Sequence, residues 1–410
     1  ERGLPARSLA WTTATAGDLP AIGMTLARTR RVQDLIGQLE SHISPAQNLV
    51  VGDRDGGVLF TAIGRVPIRG AGDGQLPSPA WDPAYHWQGL HPQISNRTVI
   101  NPDADMFVTA NHRIEGETGD GRAPVPGAEF DTPYRAHRIF ELLLARDQWS
   151  PDDIAAVQSD VVSAYALHMT EMLAGDYDGT AASAYGMLAS WDGTMAGAGA
   201  PALFTLLEQH LREAVFDETA AHGVGRIASR WRLVHVLSGA ARHDWFDDES
   251  TTNVETREEI LSAALSGAWA EANALWGEDP EGWDYGAIHR LHLDNPLGSV
   301  PLLGGWFNRG PVPFPGSATT VAAFGGSAGD AWQRIAYGPS MRWVSSLADP
   351  DGSLAIMPLG QSGHPADPHY DDQLEAYRSG GMRPVRWSPE AAAAAAVSSL
   401  TLVPADSPAS

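Results

Sequence analysis

The sequence contains no cysteine and no lysine. Without cysteine there are no disulfides, no thiol nucleophile and no thiolate metal site, although that absence assigns no compartment. All 27 basic residues are arginine, set against 50 acidic residues, for a formal charge of −23. Nucleic-acid binding draws its affinity from clustered cations that neutralise phosphates. The charge balance therefore argues against nucleic acid and anionic membrane surfaces as partners. The missing lysine, alongside abundant Ala and Gly, reads as coding bias rather than chemistry. No run approaches the roughly 18 to 20 apolar residues of a membrane span, and the start, ERGLPARSLAW, has no signal-peptide pattern. A cytoplasmic chain and an internal piece of a processed precursor both fit. Several catalytic signatures are absent too. There is no HExxH pair, and Gly325-Gly326-Ser327-Ala328-Gly329 lacks the lysine of a P-loop.

What is present is enough apolar material for a large core. The chain has 410 residues, 43% of them hydrophobic, with 14 Trp, which suggests two or three structural units. Residues 1–140 read as mostly β. QNLVVGDRDGGVLFTAIGRVPIR holds two apolar segments joined by Asp53-Arg54-Asp55-Gly56-Gly57, a hairpin signal because Asp-Gly and Gly-Gly tolerate positive φ. Ahead of it, residues 18–39 have helical spacing. Residues 71–92, rich in Gly, Pro and Trp, read as ordered loop. Residues 141–290 read as helical, with Ser150-Pro151-Asp152-Asp153 a capped helix start. Residues 291–410 return to β through SATTVAAFGG and SLAIMPLG and close on a helix, 389–397, whose alanines predict a packed face. The pattern is α+β with a helical insertion between two β-rich parts.

Three constellations carry possible chemistry. GQSGHPADPHYDDQ, residues 360–373, places His364, Asp367, His369, Asp371 and Asp372 together, the donor types of a zinc or iron site. Two prolines interrupt them and no helical pair emerges, so a turn-rich loop is the better reading. Asp53, Asp55 and Asp73-Gly74 raise a calcium loop, but without EF-hand spacing a hairpin is the more ordinary explanation. In FVTANHR, residues 107–113, a core strand over Val108–Ala110 ends in Asn111, His112 and Arg113. An amide at a strand end suits a developing oxyanion, because it donates without titrating. By spacing alone, an Asn closing a turn is the commoner outcome.

Four segments in order change that weighting. QNLVVGDRDGGVLFTAIGRVPIR, INPDADMFVTANHR, PYRAHRI and GQSGHPADPHYDDQLEAYRSGGMRPVRW resemble the β subunit of penicillin acylases, which are N-terminal-nucleophile hydrolases. The resemblance runs from about residue 8 to about residue 403. It implies an αββα hydrolase core, present in part, with the helical region inserted. It also implies a mechanism. The first residue of the β subunit, usually Ser, attacks an amide carbonyl using its own α-amine as base. Asn111 matches the side-chain donor of the oxyanion hole. Arg138 matches the arginine near the nucleophile's amine, where a fixed guanidinium would help keep the amine neutral.

The resemblance begins inside the β subunit, past the nucleophile. It therefore implies partners, namely an α subunit and an N-terminal β segment that carries the nucleophile, and a chain that is inactive alone. A small-molecule N-acyl amine is the implied substrate class, with penicillins and acyl-homoserine lactones both open. The resemblance further implies one structural Ca²⁺, with the Gly74 carbonyl and Glu129 as ligands here, no organic cofactor, and a periplasmic or extracellular location. His112 would border the acyl pocket or support it through a hydrogen bond. Two readings compete from other classes: a non-catalytic, acidic, Trp-rich binding module, and a metal-dependent hydrolase at His364 and His369.

Overall fold

The computed structural model describes residues 6–15, 19–114, 130–216, 230–241, 245–248, 251–326 and 334–401. By its internal contacts the chain divides at Pro133 into two units, Glu1–Pro133 and Tyr134–Ser410.

The first unit begins with α1 (Leu19–Arg28) and α2 (Val32–Leu35) and continues into β1 (Gln47–Gly52) and β2 (Val58–Ile63). β1 and β2 form the expected antiparallel hairpin, with Gln47 opposite Ile63 and Gly52 opposite Val58. Its turn is organised by Asp53. One carboxylate oxygen accepts from the N–H groups of Asp55 and Gly57, and the other from Val32 N–H at 3.0 Å, at the start of α2. With both oxygens taken by backbone donors, this is hairpin chemistry rather than a cation loop. Those backbone bonds, led by Val32, hold the carboxyl below its ordinary range. β3 (Pro67–Arg69) pairs with β4 (Trp87–Leu90), and β5 (Thr98–Ile100) joins β2 to complete a three-stranded sheet. Val32, Leu35, Leu39, Leu59 and Ile63 form the unit's core.

The second unit opens with helices α3 (Tyr134–Leu144), α4 (Pro151–Gln158), α5 (Ala164–Met172), α6 (Gly179–Ala189), α7 (Ala200–Val215), α8 (Arg230–Leu237), α9 (Arg257–Trp276) and α10 (Tyr285–Ile288). α4 starts as its sequence requires. Ser150 Oγ accepts from Asp153 N–H while the Asp153 carboxylate accepts from Ser150 N–H, which satisfies two otherwise orphaned donors. α9 repeats the device with Thr256 and Glu259. α9 packs along α6 and α7, and Gly267 permits the approach, because a Cβ there would lie 3.0 Å from the His210 ring. The result is one apolar core from Tyr165 to Ile288, with Leu203, Leu206, Leu207 and Leu211 of α7 fully buried.

Strands return as β6 (Arg290–Leu293), followed by α11 (Gly304–Phe307), β7 (Arg309–Pro313), β8 (Arg334–Ile335), β9 (Arg342–Val344), β10 (Leu354–Ile356), α12 (Leu374–Arg378), β11 (Arg383–Pro384) and α13 (Pro389–Ala395). They make two small sheets, ordered β7-β6-β8 and β11-β10-β9. The architecture is α+β. Two local expectations change. Residues 107–110 join no ladder among the described residues, although burial alternates as in a strand, with Val108 and Ala110 inside. α13 forms behind a Ser388 cap, yet none of its residues is buried, because alanine favours helix whether or not a face is packed.

Candidate functional site

Asn111 lies in the first unit. The run before it is pinned by the buried Val108 and Ala110 and by the Phe107 ring, 5.6 Å from that of Phe60 on β2. At Asn111 the backbone turns left-handed, with φ at +61°. Asn tolerates this conformation better than other residues with a Cβ, through local hydrogen bonding of its short polar side chain. Asp131 N–H donates to the Asn111 carbonyl at 2.8 Å, and His112 forms a parallel bridge with Asp131. Asn111 is thus exposed on a main chain fixed from both sides. His112 is half-buried and Arg113 exposed.

Arg138 lies in the second unit, on α3, and its guanidinium is committed. Nε donates to Asp160 Oδ1 at 3.1 Å and Nη2 to Asp160 Oδ2 at 2.8 Å, a two-point grip. Nη1 donates to Glu141 at 3.0 Å. The Asp160 bonds, more than any other influence, push the Arg138 pKa further up. Asp160, absent from the sequence-based candidates, carries no motif; it becomes visible only because the end of α4 faces α3.

In the loop 360–373 the side chains serve the loop and its neighbours. Asp367 accepts from His369 N–H at 2.8 Å, His364 Nδ1 accepts from Ala366 N–H, and Asp371 pairs with Arg309. His369 Nδ1 lies 3.0 Å from Asp372, which also binds Arg383. The hydrogen bond to Asp372 raises the His369 pKa. Gly360 is required here, because a Cβ would come within 1.9 Å of the His369 carbonyl. Among the described residues no three His, Asp or Glu are grouped to hold a metal ion.

For calcium, Gly74 is described and Glu129 lies outside the described residues. Gly74 is left-handed, with φ at +82°, and the Arg69 guanidinium lies against it, 2.7 to 2.9 Å from where a Cβ would stand. The neighbouring Asp73 spends both oxygens on Gln75. A guanidinium this close to Gly74 disfavours a second cation there.

A cavity of about 260 Å³ in the second unit is lined by Ser159, Val161, Phe314, Phe324, Arg342 and Tyr377 among others. Arg342 is buried with no carboxylate partner among the described residues. It donates to Ser159 Oγ at 2.8 Å and to the Tyr377 carbonyl, and lies 4.7 Å over the Tyr377 ring. Ser159 closes α4 and Tyr377 lies in the last turn of α12. The guanidinium therefore sits at two negative helix ends, which accounts for its burial.

The model of the family described as Penicillin amidase matches residues 3–394. Penicillin acylase 2 proenzyme of Pseudomonas sp. strain SE83 is 31% identical over 376 residues, covering 87% of this chain and 46% of that protein. Acyl-homoserine lactone acylase QuiP of Pseudomonas aeruginosa is 25% identical over 401 residues, again with 87% and 46% coverage. The chain thus spans less than half the length of these relatives. Among solved structures, a thermostable penicillin G acylase from Alcaligenes faecalis superimposes with a TM-score of 0.63 at 17% identity, over 94% of this chain and 72% of that one. At that identity the likeness concerns the fold alone.

Proposed function

The chain belongs to the penicillin amidase family, and from that membership we propose that it is the larger part of the β subunit of an amide hydrolase. The reaction is cleavage of a linear amide into an acyl group and an amine through an acyl-enzyme. A nucleophile with its own α-amine as base, on a segment outside residues 1–410, attacks the carbonyl, and the oxygen gains negative charge. The Asn111 carboxamide donates a hydrogen bond to that oxyanion. A neutral amide held in advance needs no reorganisation as the charge appears, which is how such donors lower the barrier. Arg138 stands near the amine and helps orient it.

The observation that carries this reading is the fixation of Asn111. Its backbone is left-handed, its carbonyl is bound by Asp131 N–H, and the residue is exposed. A main chain held in this way fixes the direction in which the side chain leaves the backbone.

The partners in the proposal are an α subunit and the segment carrying the nucleophile. Supporting them is an exposed apolar stretch around α11, where Leu302 is 99% and Trp306 64% exposed, with Leu297 and Val300 also outside. So much apolar surface within ten residues suits burial against further polypeptide. No helix among the described residues is long and apolar enough to cross a membrane, and a periplasmic or extracellular place belongs to the same proposal. One structural Ca²⁺ on Gly74 and Glu129 rests on resemblance only. The guanidinium of Arg69 opposes it and no step depends on it; calcium analysis of the purified protein decides the point.

The test is amine release by the complete protein, purified with whatever polypeptides accompany it and identified by intact mass and N-terminal sequencing. A phenylacetyl amide and an N-acyl-homoserine lactone are the two substrates. A copurifying chain beginning with Ser, Thr or Cys, together with turnover of either substrate, is the expected result. Release of amine from neither ends the reading.

A further inference from the structure

Arg138 would act very differently as a bare cation than as half of an ion pair. Asp160 makes it the second. The backbone of Asp160 is held on both sides: its N–H donates to the Val157 carbonyl at 3.2 Å as α4 ends, and its carbonyl accepts from Ala322 N–H at 2.9 Å. Its Oδ1 also accepts from Val162 N–H at 3.3 Å. The carboxylate therefore does not follow the guanidinium; it is placed first, and Arg138 is seated on it. The two side chains are 17% and 13% exposed, whereas Glu141, the other acid on Arg138, is 67% exposed and screened by water. Charge cancellation around Arg138 is thus chiefly the work of Asp160, since a partly buried pair is screened far less than a solvated one.

We propose that Asp160 is a positioning residue that both seats Arg138 and cancels its charge, so that the pair meets the nucleophile's amine as a neutral hydrogen-bonding unit. This rests on the placement of Arg138 beside that amine in the function proposed above. A cation near an amine lowers its pKa, and an anion raises it. The base works only when neutral, so the acid limb of the rate profile follows the amine's pKa. Removing Asp160's charge exposes the guanidinium and moves the limb to lower pH. Removing Arg138's charge exposes the carboxylate and moves it to higher pH. Removing both restores a neutral site.

The experiment measures kcat/KM against pH on the complete processed protein for Asp160→Asn, Arg138→Gln and the double variant, with folding followed by circular dichroism. At an effective dielectric constant of about 20, a unit charge about 10 Å from a titrating group displaces its titration by roughly one pH unit. The expected result is a limb lowered by about that much in Asp160→Asn, raised in Arg138→Gln, and returned close to the parent in the double variant. Asp160→Glu, which keeps the charge, holds the parent's limb. If Asp160→Asn does not fold, the double variant against Arg138→Gln reads the same charge, and coincident limbs overturn the proposal. A limb moved by Arg138→Gln but not by Asp160→Asn also overturns it, leaving the placement of Arg138 intact. If neither variant moves the limb, Arg138 is not beside the base and both readings fall.

Discussion

Asn111 has two possible reasons to be asparagine, and substitution separates them. At a φ of +61°, any residue with an ordinary side chain pays for the left-handed backbone, about 1 to 2 kcal/mol for alanine. Glycine carries no such penalty and loses somewhat more unfolded-chain entropy, about 0.5 to 1 kcal/mol. If the residue only closes a turn, Asn111→Ala lowers stability by about 1 to 2 kcal/mol, Asn111→Gly by less than about 1 kcal/mol, and both turn over substrate normally. If the carboxamide donates to an oxyanion, both variants lose that donor, a loss of about 2.7 to 4 kcal/mol in the transition state and a fall in kcat of about 10² to 10³. The Asp131 N–H bond to the Asn111 carbonyl at 2.8 Å survives each change, because it joins backbone to backbone. Asn111→Gly is therefore the informative variant, near the parent in thermal midpoint but slow. The assay is amine release at saturating phenylacetyl amide, with calorimetry on the same samples. A glycine variant that keeps the parent's kcat would refute the assignment of Asn111 to the oxyanion.

Three further outcomes follow from the fold. Leu207, fully buried in α7, should lose about 2 to 5 kcal/mol as Leu207→Ala, read as a lowered thermal midpoint; an unchanged midpoint would contradict the helical core described above. Ser150→Ala removes the acceptor of Asp153 N–H and should cost α4 about 1 kcal/mol, seen as faster hydrogen exchange in its first turn and not in α9. Glu208 receives hydrogen bonds from Tyr165, Arg212 and Arg230. Burial pushes its carboxyl up, but the guanidinium groups of Arg230 and Arg212 outweigh burial and bring it to about 2 from 4.5. A depressed pKa gives stability that is full above about 4.5 and drains away as the pH falls toward 2, on the order of 3 kcal/mol. Glu208→Gln should flatten acid unfolding across that window, and an acid midpoint identical in shape to the parent's would count against it.

How much of this could be read in advance depended on how local the cause was. The β1–β2 hairpin was legible because Asp53-Arg54-Asp55-Gly56-Gly57 sets its own backbone, and the cap of α4 because Ser150 and Asp153 satisfy each other within one turn. The four ordered segments were enough to identify the family, since a family is a property of sequence. The run before Asn111 was legible as alternation, but a ladder needs a second strand at the right distance, and among the described residues none pairs with residues 107–110. The alanines of α13 announced a helix and said nothing of a partner for it, so their exposure could not be foreseen.

The sequence by itself determined what each segment prefers: turns where Gly and Asp allow them, helices where apolar residues recur, a strongly negative charge, and no thiol chemistry. Tertiary structure decided which groups meet. Asp160 is ordinary in the sequence, 22 residues from Arg138, and becomes its fixed counter-charge only when the end of α4 is brought to α3. Arg342 looks like any other arginine until two helix ends turn toward it. The turn at Asn111 is held by the N–H of Asp131 across a long stretch of intervening chain. Hydrogen bonds and ion pairs act over a few ångströms, so only folding, which sets distance independently of position along the chain, could make these contacts.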